Sequence, residues 1–180
     1  MQEKDALKNF ERLMLPHLGA AHNLARWLTR NDADAEDVVQ EAYLRAFKFF
    51  QTFRGSDSRR WLLAVVRNTC YTWLRQNRAG ELLQPCDGEE FEGLEDRADD
   101  PEQSLVQSDE RETLRRAIEG LPAEFREVIV LRELEGMSYR EIASVASVPV
   151  GTVMSRLARA RRRLRQSLRP AARKGGAHGV

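Results

Sequence analysis

Apolar residues recur along most of the chain at spacings of three and four and nowhere alternate with polar ones, which is the signature of amphipathic helices. The fold class expected is therefore all-α. A first helix is predicted over residues 5–29, with an apolar stripe that includes Phe10, Leu13, Met14, Leu18 and Leu24. Pro16 and Gly19 are placed to kink or split it. Residues 31–34 read as a turn, and Asp34 is expected to cap a second helix reaching about residue 50, with Glu36 and Asp37 near its positive end. A loop at 51–58 containing Phe53, Arg54 and Gly55 precedes a third helix over 58–77. Its predicted buried face is Leu62, Val65, Val66, Thr69 and Trp73.

The periodicity stops at Gly80. From there to Asp100, acidic residues crowd around Pro85, Gly88 and Gly93, as in a flexible linker. Asp100 and Pro101 read as a cap followed by proline at the first helical position, opening a helix that ends near Gly120. Leu121 and Pro122 begin the next helix, with a core stripe of Phe125, Val128, Ile129 and Leu134 and a stop at Glu135-Gly136. Ser138 and Glu141 stand three apart at the following helix start, so each side chain can take a backbone N–H of the other residue. The short helix they open buries Ile142 and Ala143 and ends near Val145, and a tight connection through Ser147, Val148 and Pro149 leads to a last helix over 150–166. In that helix Val153, Leu157, Ala160 and Leu164 must face the core, which turns Ser155, Arg159 and Arg162 the other way. The spacing is that of a helix-turn-helix whose second helix suits the DNA major groove.

Composition narrows the function. The 180 residues suffice for one domain or two small lobes. No apolar run approaches the roughly 20 residues needed to span a bilayer, and the charged first residues lack a signal-peptide core, so the chain is expected in the cytoplasm with no membrane insertion. Cys70 and Cys86 with His17, His22 and His178 have no metal-site spacing, and no phosphate loop or nucleophile motif occurs. No cofactor, metal or catalytic activity is expected.

The net charge of +1 conceals a block pattern. Residues 1–80 hold 13 Lys and Arg against 9 Asp and Glu, residues 81–112 hold 2 against 13, and residues 113–180 hold 14 against 6. Basic flanks attract polyanions, and the acidic block between them reads as a linker, a self-screening segment or a nucleic-acid mimic. Arginine supplies all the basic residues except Lys4, Lys8, Lys48 and Lys174. Two sources give that bias: bidentate contacts to phosphate or guanine, and a GC-rich genome.

At the helix-turn-helix the sequence becomes recognisable. Leu121-Pro122 with Arg126, the run Gly136 to Ala143 and the run Pro149 to Arg161 resemble the C-terminal domain of bacterial extracytoplasmic-function sigma factors. Asp34 to Glu41, the loop with Phe53-Arg54-Gly55, and Trp61-Leu62 followed by Arg67-Asn68 resemble that family's N-terminal domain. The resemblance implies an N-terminal region 2 domain over 1–79, an acidic linker over 80–100, a region 4 helix-turn-helix domain over 101–170 and a disordered tail over 171–180. It implies an initiation factor that binds core RNA polymerase and promoter DNA, with an anti-sigma factor as a further partner.

The same resemblance distributes the residues. Asp37, Glu41, Leu44 and Lys48 share one helix face with Gln40 beside it, and match the family's polymerase-binding site. Arg54, Arg59, Arg60, Trp61, Arg67 and Asn68 match its minus-ten reader, where aromatic and guanidinium planes suit an extruded base, and Arg75 is expected at phosphate. Trp61 reads equally as a core residue, and Trp73 is assigned to the core. Ser155 and Arg159 match base-edge positions of the minus-thirty-five reader, and Thr152, Arg156 and Arg162 are expected at phosphate. Met154 departs from the basic residue common in relatives. Two other functions are open to the same sequence: a stand-alone helix-turn-helix regulator that does not act through core polymerase, and an adaptor that has lost promoter recognition. The acidic helix face around Asp37 argues against the first.

Overall fold

The structure, a computed structural model, describes residues 2–82 and 106–169, with side chains from residues 4 and 109 onward in the two stretches. The residues described are helical with no strand among them. Two helical lobes are formed, α1 to α5 and α6 to α9, and their buried apolar side chains join in one connected cluster. Residues 83–105, which contain most of the expected acidic linker and the Asp100-Pro101 helix start, lie outside the described residues, as does the expected tail from 171.

The first helical stretch is split where proline denies it a backbone donor. Helix α1 spans Gln2–Met14, a 3-10 turn spans Leu15–His17, and α2 spans Leu18–Thr29. The break changes which residues face inward. Phe10, Met14 and Leu24 are buried as expected, but Leu18 is 45% exposed, because the tighter turn advances the helical phase before α2 begins. Helix α3 spans Asp32–Phe49. Its cap is Asn31, not Asp34: the Asn31 side chain accepts from the Asp34 N–H at 3.0 Å, and Asp34 is the residue being capped.

A 3-10 turn at Phe50–Thr52 and a short loop lead to α4, Ser58–Asn77, whose limits agree with the sequence reading. Asp57 caps it by accepting from the Arg60 N–H at 2.9 Å. Leu62, Val66 and Thr69 are buried as expected, with Val65 and Trp73 half-buried. Leu63, Cys70, Tyr71 and Leu74 are buried as well, because α4 is packed on more than one side. The short α5 spans Ala79–Leu82.

In the second lobe, α6 (Val106–Glu119) packs on the last helix, and α7 (Ala123–Ile129) continues into a π-helical turn, Val130–Leu134. Phe125, Val128 and Ile129 are buried, but Leu134 is 49% exposed. The wider turn, closed by the Glu135 N–H donating to the Val130 carbonyl five residues back, carries Leu134 off the expected stripe. Gly136 then turns the chain at a φ of 65°, where any other residue would be strained. Helix α8 spans Tyr139–Ala146 and α9 spans Val150–Leu168, joined through Ser147 in the left-handed region. Val153, Leu157 and Ala160 are buried on α9, with Leu164 packed at the edge.

The capping box is present in both directions. Ser138 Oγ accepts from the Glu141 N–H at 3.2 Å, and Glu141 Oε2 accepts from the Ser138 N–H at 2.7 Å. The Ser138 N–H holds the Glu141 carboxyl below its ordinary range. A group held down in this way stabilises the fold above the unfolded carboxylate range, and that contribution is lost as pH falls through the folded value. Ser138→Ala is therefore expected to destabilise the C-terminal lobe by about 1 kcal/mol. Urea denaturation at neutral pH would measure the loss, and the deficit of Glu141→Gln against the parent should narrow in acid.

Candidate functional site

Three surfaces carry the residues singled out by sequence. The first is the outer face of α3. Ala35, Val38, Val39, Ala42 and Ala46 point inward, which leaves Asp37, Gln40, Glu41, Leu44 and Lys48 exposed together on the opposite side. Leu44 is 68% exposed, the most exposed large apolar side chain among the described residues. The sequence reading omits Phe47, which lies three residues from Leu44 and is exposed on the same side while its ring edge meets Phe10 at 5.2 Å. Spacing from Leu44 is the signal that could have found it. Glu41 accepts from Arg45 Nε at 2.6 Å along the helix, a surface pair that leaves the rest of the face unchanged.

The second surface is the loop before α4 and that helix's exposed side. The Phe53 ring stacks on Phe50 at 6.2 Å and tilts against Trp61 at 5.3 Å, so Trp61 is half-buried and braces the loop from within. The start of α4 is tied down by a 2.9 Å hydrogen bond between Ser58 Oγ and His17 Nε2. Burial, reinforced by the Arg59 charge, lowers the His17 pKa. Arg54 and Asn68 are exposed, Arg60 reaches back to Asp57 at 3.7 Å, and exposed Arg75 donates to Thr72 Oγ1 at 3.3 Å.

Arg59 and Arg67 do not face open solvent. Arg67 Nε donates to Glu127 Oε1 at 2.5 Å, and its guanidinium lies 3.9 Å above the Tyr71 ring. Tyr71 Oη donates to Glu127 Oε2 at 2.8 Å. Burial opposes the Arg67 charge, and the Glu127 carboxylate outweighs it, so the Arg67 pKa is raised. The Tyr71 pKa is raised too, by burial first and by Glu127 second. Arg59 Nη2 donates to both the carbonyl and Oε2 of Glu135 at 2.8 Å, and Asn23 Nδ2 donates to Glu135 Oε1 at 2.6 Å. Nearby, Arg30 donates to Glu81 and to the Glu119 carbonyl. Buried Arg126 lies 3.7 Å from Glu81, and its pKa is lowered to about 10 by burial and by Arg30.

The third surface is α9. Ser155, Arg159 and Arg162 lie on the side away from Val153, Leu157 and Ala160, and Ser155 Oγ donates to the Thr152 carbonyl at 3.0 Å. Met154 is 53% exposed beside them. The arginines of this helix divide by partner. Arg156 is largely buried and 3.4 Å from Glu124, Arg161 meets Glu133 at 2.7 Å, and Arg163 lies 5.1 Å over the Phe125 ring. Arg132 donates to the Met137 carbonyl at 2.9 Å and covers the Tyr139 ring at 5.0 Å, bracing the approach to α8. No group of His, Cys, Asp and Glu suited to a metal ion occurs among the described residues. No described helix is long and apolar enough to cross a membrane.

The comparisons with known proteins follow the same division. The family description "Sigma-70 region 2" matches residues 13–80, and "Sigma-70, region 4" matches residues 111–164. The ECF RNA polymerase sigma-E factor of Escherichia coli strain K12 is 35% identical over 161 residues, covering 85% of this chain and 84% of the relative. The ECF RNA polymerase sigma factor SigE of Mycolicibacterium smegmatis is 32% identical over 168 residues, 92% of this chain and 64% of the relative's length. Among solved structures, the sigma factor RpoE of Bartonella quintana, bound to the anti-sigma factor NepR, superposes with a TM-score of 0.67 at 30% identity, covering 89% of this chain and 97% of that one. CnrH in complex with the cytosolic domain of CnrY superposes with a TM-score of 0.60 at 27% identity, covering 89% and 87%.

Proposed function

The chain belongs to the extracytoplasmic-function sigma factors of bacterial RNA polymerase, and we propose that its three surfaces divide the work of that family between polymerase, minus-ten element and minus-thirty-five element. It binds core RNA polymerase and directs promoter-specific initiation of transcription. Catalysis belongs to the polymerase, and this chain contributes binding and DNA recognition in the cytoplasm.

The region 2 lobe, residues 1–79, takes the polymerase and the minus-ten element. Asp37, Gln40, Glu41, Leu44 and Lys48 form the polymerase face: charges set the approach, and the exposed leucine supplies apolar area that only a partner would bury. Arg54, Arg59, Arg60, Trp61, Arg67, Asn68 and Arg75 read or hold the minus-ten strand. The region 4 lobe, residues 101–170, places α9 in the major groove at the minus-thirty-five element. Ser155 and Arg159 meet base edges, while Thr152, Arg156 and Arg162 meet phosphates. An anti-sigma factor is the further partner, in keeping with the complex of RpoE with the anti-sigma factor NepR.

The observation that carries this reading is the pairing, in one chain, of a capped helix-turn-helix with an exposed acidic and apolar helix face. A regulator acting alone has no use for the second. Run-off transcription with purified core enzyme tests it. Start-site-specific transcripts that require this chain are expected, whereas DNA binding with no transcript would leave a regulator independent of the polymerase.

A further inference from the structure

We propose that Met154 is a specificity-determining residue of the minus-thirty-five reader, its side chain taking the C5-methyl of a thymine and so selecting a T·A pair at one position of the element. The inference rests on the reading that α9 enters the major groove there.

Two large apolar side chains stand in water at the start of α9: Met154 is 53% exposed and Val150 37%. Their apolar neighbours behave differently. Val148 before the helix and Leu164 towards its end pack against the core, and Val153 and Leu157 on either side of Met154 are buried. Helical spacing lines up Val150, Met154 and Ala158 four residues apart, each step turning about 40° further towards the side that carries Ser155 and Arg159. The strip therefore runs from the flank of the helix towards its front.

What borders the strip decides which part of the DNA it meets. Beside Val150 a shallow hollow of about 390 Å³ is lined by Arg132, Ser138, Tyr139 and Arg140, groups that suit phosphate. On the other border lie Ser155 and Arg159, the proposed base readers. An apolar strip between a phosphate border and a base-reading border lies over the groove floor.

The groove floor offers this strip one kind of partner. Among base edges in the major groove only thymine presents a methyl group. A thioether has no proton to give, so Met154 set against guanine O6 and N7 would strip water from those acceptors without replacing the lost hydrogen bonds. Set against thymine, it buries apolar area on both sides. The side chain is unbranched and adjusts to the position of the methyl, and the small Ala158 one turn on leaves room for it. Met154 thus favours thymine by contact and disfavours guanine by desolvation, two effects that act in the same direction.

The test uses holoenzyme assembled from the full chain and purified core enzyme. A pool of random-sequence duplexes, long enough to hold both promoter elements, is selected with the parent, Met154→Ala and Met154→Arg chains. The parent should enrich thymine at one minus-thirty-five position where Met154→Arg enriches guanine, since a guanidinium meets guanine O6 and N7 together. Met154→Ala should lose the preference at that position alone. On the parent's selected duplex, exchange of that thymine for deoxyuridine removes the methyl and keeps every hydrogen-bonding group. The exchange should weaken the parent about fourfold, as burial of one methyl implies, and the Met154→Ala chain by less than about twofold.

Unchanged parent affinity when deoxyuridine replaces each selected thymine in turn would overturn the methyl contact, and that measurement needs no variant to fold. Identical selection by the parent and a folded Met154→Arg chain would overturn the assignment to Met154. If Arg159→Ala still alters the selected sequence in that case, α9 remains the reader and only Met154 leaves it. If neither substitution alters selection, the reading of α9 in the groove fails with it.

Discussion

Asp37→Arg combined with Glu41→Arg is expected to abolish capture of core RNA polymerase, weakening it by about 100-fold or more, while the lobe stays folded. Like charges forced together at an interface cost several kcal/mol, and two reversals act on one helix face. The fold has little at stake in either residue. Both are exposed, and the Glu41 to Arg45 pair is of the surface kind that contributes well under about 1 kcal/mol. Co-purification with core enzyme measures the loss, and circular dichroism checks the helices. A folded double variant that still co-purifies would remove this face from the polymerase contact. Leu44→Ala should give a smaller loss by the same readout, since it removes apolar area without adding repulsion.

The second large effect is expected at the promoter. Arg159→Ala should cost about 1–3 kcal/mol on the matched minus-thirty-five duplex and relax preference at the base it reads. Arg162→Ala should weaken matched and scrambled duplexes alike and flatten the dependence on salt, as loss of one phosphate contact does. The contrast depends on the roll of α9, which Val153, Leu157 and Ala160 fix by their burial. Titration of both duplexes at several salt concentrations decides it. A change of sequence preference at Arg162 without one at Arg159 would mean that the helix presents a different side to DNA.

Most helix limits could be read from the sequence because they rest on local chemistry. The 3.6-residue spacing, the capping box at Ser138 and the glycine at 136 act within a few residues of themselves. The errors have local causes as well. Uninterrupted phase places Leu18 and Leu134 inside, and a 3-10 turn before one and a π-helical turn ending at the other shift that phase. The cap is Asn31 and not Asp34 because the helix begins at Asp32, earlier than a turn over 31–34 allows, and a helix takes its cap from the residue just before its first turn.

The exposed face of α3, proposed for the polymerase, needed only one helix to define it and was legible for that reason. Tyr71, Glu127 and Glu135 were not. Each looks like a surface residue in its own segment, and the partner that buries or engages it lies more than fifty residues away, in the other lobe. No periodicity in one stretch records a contact made with another. The same applies to Arg59 and Arg67, whose residue types announce contact with an anion but not which anion.

The π-helical turn at Val130–Leu134 has a consequence for inheritance. Such a turn holds one residue more than the α-helix around it, as a single inserted codon would leave behind. Loss of one codon there would restore regular winding and, because the wide turn absorbs its extra residue within itself, leave everything downstream on the face it now occupies. Glu135 would keep its side toward Arg59, and Glu127, upstream of the turn, its place against Arg67. Related chains can therefore differ in length by one residue at this point and still bring the same side chains to the seam between the two lobes.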